Sequence, residues 1–195
     1  MQNGSIEKLT GEIEADETFV GGKVENMHLD KQVRRVLQGR GGRGPNGKAI
    51  VMGLLARHGE ARVKVIPTRR KKHIQAMVRE HVEPKSALYS DALKSYDGLD
   101  DYAHEVIDHT EVYVRDNVHT NGLENFWSLM KRAIKGTYVS VEPYHLQAYA
   151  DEQAFRFNNR KVGDADRFVT ALSQIAGRRL TFAELTGKGL DSPSN

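Results

Sequence analysis

The chain contains no cysteine. That absence removes disulfide scaffolds, zinc ribbons and thiol nucleophiles together, and leaves oxygen or imidazole as the donors for any metal. Continuous hydrophobicity is also scarce: the longest apolar run, Ala49 to Ala56 with Gly53 inside it, has eight residues, where a membrane-spanning helix needs ~20. No basic-then-apolar leader opens the sequence. These absences predict a soluble, cytoplasmic protein with no membrane partner. What is present is 195 residues, 38% hydrophobic and 28% charged, which suffices for one domain with a real core and not for two ordinary ones. The expectation is a single domain over 1–188 and a disordered tail over 189–195.

Net charge is only +3, but its distribution is uneven. From Lys23 to Lys48 seven basic residues face Glu25 and Asp30, and from Arg57 to Lys85 nine basic residues face three acids. From Ser86 to Glu124 nine acids face only Lys94 and Arg115. Basic flanks around an acidic centre fit a polyanion held beside a site that holds cations, or else the solvated faces of an ordinary surface.

Gly11 to Val20 reads as a strand with Ile13 and Ala15 on one face and Glu12, Glu14 and Asp16 on the other. The segment 23–48 lacks a sustained period and ends in a glycine-arginine run, which predicts a basic, flexible excursion. Ala49 to Arg57 and Ala61 to Pro67 form a hairpin pattern. Lys71 to Val82 is helical, with Pro84 marking its end. Ser86 to Asp91 and His104 to His109 read as two further strands. Asn121 to Ile134 is an amphipathic helix ended by Gly136, and Glu142 to Asn159 another, entered through Pro143. This order predicts an α/β, ribonuclease-H-like fold: a five-stranded mixed sheet, strands 1 to 3 antiparallel and strands 4 and 5 parallel, flanked by helices.

On the helix from Asn121, Lys131 and Lys135 fall within about 20° of Glu124, while Leu123, Phe126, Trp127, Leu129, Met130, Ala133 and Ile134 fill the opposite arc. One face is core, and the other aligns a carboxylate with two lysines. In the predicted fold Asp16 and Asp91 lie on neighbouring strands and this helix brings Glu124 over their ends. Three converging carboxylates repel one another unless divalent cations compensate them, which points to Mg²⁺, with Mn²⁺ as substitute, and to two ions.

Four segments carry a resemblance: GEIEADETFVGGK (11–23), YSDALKSY (89–96), HTNGLENFWSLMK (119–131) and YHLQAYADEQAFRFNNR (144–160). Together they resemble the catalytic domain of ISXO-type insertion-sequence transposases, which are DDE-type enzymes, over roughly residues 11 to 160. The resemblance implies that Asp16, Asp91 and Glu124 are the catalytic acids and metal ligands. It also implies that Lys131, seven residues after Glu124, lies near DNA. Relatives usually carry an upstream zinc-binding recognition region, so the chain is expected to be a catalytic core. Some relatives place Asn at the third acidic position, which keeps Asn121 as a neighbour or substitute for Glu124. Glu17 points to the opposite strand face and is the weaker candidate. Glu14 shares the face of Asp16, as a supporting acid or a solvated one.

Further DNA contacts are expected from Lys135, His119, Arg69, Arg70, Arg40 and Arg43, and from Arg156 with Arg160, read as two residues four apart on one helix that clamp phosphate or pair with the acidic band. The run Gly42 to Lys48 falls short of a nucleotide-binding P-loop, because Ala49 stands where Ser or Thr is needed and a strand follows; no nucleotide cofactor is expected. Most of Trp127, Phe126, Phe155 and Phe157 are expected in the core. His104 and His109 lack the partners for zinc. The expected activity is metal-dependent cleavage and strand transfer of element-end DNA into target DNA, by a homodimer or higher assembly. A non-catalytic DNA-binding remnant or regulator, and a nuclease of the same fold, are the rival readings.

Overall fold

A computed structural model describes residues 7–21, 29, 33, 48–57, 59–107, 120–138 and 141–186. His119, Arg40, Arg43, His109 and nearly all of the basic excursion lie outside the described residues. Three antiparallel strands come first, β1 (Glu12–Val20), β2 (Ala49–Ala56) and β3 (Ala61–Ile66). Helix α1 (Lys71–His81) crosses to β4 (Ala87–Asp91), which runs parallel to β1, and β5 (Ala103–Ile107) runs parallel to β4. Sheet order is β3-β2-β1-β4-β5, the ribonuclease-H-like arrangement that the element order predicts. Helices α2 (Asn121–Ala133), α3 (Leu146–Asn158), α4 (Asp164–Ser173) and α5 (Phe182–Thr186) follow.

Strand alternation sorts the side chains into two cores, one on each face of the sheet. Ile13, Ala15, Met52, Leu54 and Leu88 pack with Ile74, Met77 and Val78 of α1, whose three- and four-residue spacing builds its apolar stripe. On the other face, Val51 and Leu55 pack with Leu123, Phe126, Trp127 and Met130 of α2 and with Leu146, Ala150 and Ala154 of α3. Neither α4 nor α5 contributes to a core, and Phe168 and Phe182 are 63% and 71% exposed.

The outer edge of β3 is covered by two carboxamides from α3. Asn158 accepts from the Ala61 N–H at 2.7 Å and donates to its carbonyl at 2.9 Å. Gln147 accepts from the Val65 N–H at 2.6 Å and donates to the Val63 carbonyl at 3.2 Å. A groove of about 700 Å³ opens beside this edge, lined by Lys64, Glu80, His81, Tyr144 and Asp151 among others, and none of the three candidate acids lines it.

Four local expectations are corrected. Gly136 does not end the α2 region, because the chain continues through it as a π-helical turn, Ile134–Tyr138. Pro143 lies in the turn before α3 rather than in its first turn. Leu129, at the margin of the apolar arc, is 41% exposed. Arg160 follows the end of α3 at Asn158, so it does not share a helix with Arg156.

Candidate active site

The three even-numbered acids of β1 have different surroundings. Glu12 accepts from the Tyr89 hydroxyl at 3.1 Å and pairs with Arg57 at 3.5 Å. Glu14 is 1% exposed. Its Oε2 accepts from the Leu123 backbone N–H at 2.9 Å, and its Oε1 from Arg57 Nε at 3.3 Å. The Leu123 amide belongs to the first turn of α2, where Thr120 supplies no side-chain cap. Glu14 therefore satisfies from another element the orphan donor that a capping residue ordinarily takes, with its negative charge at the helix N-terminus. Gly122 leaves room for this approach: a Cβ there would stand 2.8 Å from Glu14 Oε2 and 2.5 Å from Leu55 Cδ2.

Asp16 accepts two hydrogen bonds, one at Oδ2 from Trp127 Nε1–H at 2.9 Å and one at Oδ1 from the Glu17 N–H at 2.7 Å. The parallel pairing of β1 with β4 runs to Ala15 and Ser90. One step further the register sets Asp16, midway along β1, beside Asp91, the last residue of β4; the C-terminal ends of parallel strands are where open α/β sheets present their crevice. Asp91 Oδ1 accepts from the Leu93 N–H at 3.1 Å, which starts the turn leading to a 3₁₀ segment, Lys94–Tyr96. Burial pushes the Asp16 carboxyl above the usual carboxylate range; its hydrogen bonds from Trp127 and Glu17 pull it down, and the charges of Asp91 and Glu124 push it up again. Acids from β1, β4 and α2 thus act on one neighbourhood.

Glu17 lies on the opposite face of β1, as the alternation predicts, and accepts from the Tyr96 hydroxyl. Burial pushes its carboxyl up to about 7, against the Tyr96 hydrogen bond and with help from the charges of Asp91 and Asp16. The folded protein then holds this proton more tightly than the unfolded chain does. Its contribution to stability is complete below the ordinary value of 4.5 and is lost as pH rises through about 7. In metal-free protein Glu17→Gln, which keeps an acceptor for Tyr96, is expected to melt increasingly above the unaltered protein as pH rises from 4.5 to 8. A melting difference that does not vary with pH would count against this assignment.

No Lys or Arg among the described residues forms an ion pair with Asp16, Asp91 or Glu124. An oxygen-only donor set of mutually repelling carboxylates without basic partners fits a hard divalent cation. Among the described residues, no three Asp, Glu or His side chains close into a metal-holding group.

The basic candidates separate. Lys131, Lys135 and Asn121 are exposed along α2 and the turn that continues it. The Arg69 guanidinium lies 5.0 Å from the centre of the Phe19 ring and its charge acts on Glu17, which places it on the Glu17 face of β1; Arg70 is exposed at the start of α1. Arg156 is engaged by Glu152 at 2.8 Å, and Arg160 lies over the Phe157 ring. The acid that Arg156 pairs with is on its own helix and outside the 86–124 band. Trp127, Phe126 and Phe155 are buried, in line with core packing. Sequence reasoning missed that the Trp127 N–H reaches Asp16.

Residues 8–158 match the ISXO2-like transposase domain family. An uncharacterized transposase-like protein of Haemophilus influenzae is 31% identical over 100 residues, which are 50% of this chain and 80% of that protein. The crystal structure of the catalytic core domain of BIV integrase covers 85% of this chain and 98% of its own, with a TM-score of 0.48 and 11% identity.

Proposed function

The chain belongs to the ISXO2-like transposase domain family, and from that premise we propose that it is the catalytic core that cleaves insertion-sequence ends and joins them to target DNA. The observation that carries the proposal is the acid pair: Asp16 beside Asp91, with the charge of Glu124 acting on Asp16 and, among the described residues, no Lys or Arg ion-paired with any of the three.

In the first reaction the oxygen of water bonds to the phosphorus at the element end as the bond from phosphorus to the 3′-oxygen breaks, which leaves a 3′-hydroxyl. In the second, that 3′-hydroxyl bonds to a target phosphorus and one target P–O bond breaks. Bond types are conserved in the joining step, so no nucleotide cofactor is needed. Two divalent cations, Mg²⁺ or Mn²⁺, supply nucleophile activation and leaving-group charge when bound. Asp16 from the middle of β1 and Asp91 from the end of β4 would hold them, and Glu124 would complete the donor set from α2. Lys131, on the Glu124 face of α2, and Lys135, on the π-helical turn that continues it, take backbone phosphates, and Arg69 and Arg70 extend the basic border. No side chain forms a covalent bond to DNA.

The test is incubation of the purified chain with labelled element-end duplex and target DNA in Mg²⁺ or Mn²⁺. Strand-joined product is expected. Cleavage without joining would make the protein a nuclease, and salt-sensitive binding with neither product would make it a regulator.

A further inference from the structure

The geometry points to Trp127 as a positioning residue that holds the Asp16 carboxylate for cation binding from the same helix that carries Glu124. The inference rests on the function proposed above and assigns a task to a side chain that helical periodicity places in the core. Trp127 is 5% exposed and packs edge-on against Phe126, with ring centres 5.1 Å apart. A buried indole needs an acceptor for its N–H, and here that acceptor is Asp16 Oδ2 at 2.9 Å.

The strand beneath is shaped to allow it. Gly53 on β2 is the register partner of Asp16, and a Cβ at that position would stand 2.7 Å from two carbons of the indole. Only a residue without a side chain lets the ring lie flat enough on the sheet for Nε1 to reach the neighbouring strand. With Oδ2 fixed by the indole and Oδ1 by the Glu17 amide, the carboxylate has one orientation. Partners of this kind behind a ligand typically change metal affinity or activity ~10–100-fold when removed.

Trp127 is the single tryptophan, so its indole N–H gives one cross-peak in a ¹H–¹⁵N spectrum. In the unaltered protein this peak is expected to shift saturably with Mg²⁺, and in Asp16→Asn to start elsewhere and respond little. Mn²⁺ binding, read from loss of the free-ion EPR signal, is expected to weaken ~10-fold or more in Trp127→Phe. Gly53→Ala, which keeps the indole and every acid but displaces the ring, is expected to weaken it likewise. Should Trp127→Phe fail to fold, Gly53→Ala and the indole peak decide the matter. Normal Mn²⁺ binding by either folded variant, or an indole peak indifferent to Mg²⁺ while the protein binds it, would overturn the role of Trp127 and leave the proposed function standing. Absence of divalent binding by the unaltered protein would overturn the metal-dependent reading itself.

Discussion

Asp91→Asn is expected to lose strand cleavage and joining by more than ~100-fold, beyond the usual cost of removing a group that merely supports a metal ligand. Its melting temperature in metal-free buffer is expected to stay level or rise. The opposition of the two effects follows from the charges gathered around Asp91 at the end of β4. Asp91 pushes up the carboxyls of both Asp16 and Glu17, so a neutral amide of the same shape relieves repulsion in the folded state while it removes a donor oxygen. Asp16→Asn should lose activity similarly, although its hydrogen bond from Trp127 is then made to a weaker acceptor. A quantitative cleavage assay beside thermal melts checks both halves. An Asp91→Asn protein with full activity would remove Asp91 from the chemistry, and one that is inactive because it unfolds would move it from the site to the scaffold.

The largest stability effect is expected at Glu14. Glu14→Ala removes one of the two carboxylates paired with the Arg57 side chain, 10% exposed, with Glu12 remaining, and takes the acceptor from the Leu123 amide. Breaking a buried pair by removing one partner costs ~3–5 kcal/mol, and because Glu12 stays beside Arg57 the loss is expected at the lower end, a fall in melting temperature of roughly 10 °C for a chain of this size. Glu14→Gln retains an oxygen for the Leu123 amide and should lose less. A double-mutant cycle with Arg57→Ala separates the Arg57–Glu14 coupling from the loss of the Leu123 hydrogen bond. Loss of less than ~1 kcal/mol in Glu14→Ala would mean that α2 is seated by apolar packing alone.

Much of this arrangement is legible before any coordinates. Period-two alternation along β1 separates Ile13 and Ala15 from Glu12, Glu14 and Asp16, and the order of the elements gives the sheet its parallel and antiparallel halves. The same arithmetic sends Glu17 to the other face. What local pattern cannot supply is contact between distant segments. Glu14 looks like a solvated strand acid until the N-terminus of α2 descends on it from 109 residues away. Trp127 satisfies the helical criterion for a core residue and also reaches a carboxylate, because the neighbouring strand β2 has no side chain at Gly53 to hold the ring off. Gly136 fails as a stop signal for a related reason: glycine favours helix termini, but here the backbone widens into a π-helical turn and passes through it. For Arg156, the four-residue spacing from Glu152 was available in the sequence and explains why that guanidinium is already occupied.

The carboxamides of Gln147 and Asn158 have a consequence for behaviour in a crowded solution. A border strand usually presents a ladder of donors and acceptors on which a neighbouring molecule can build a growing fibre. On the β3 flank those rungs at Ala61, Val63 and Val65 are already taken by amide groups of the molecule's own helix, so polymer growth there has first to pry α3 away from the sheet.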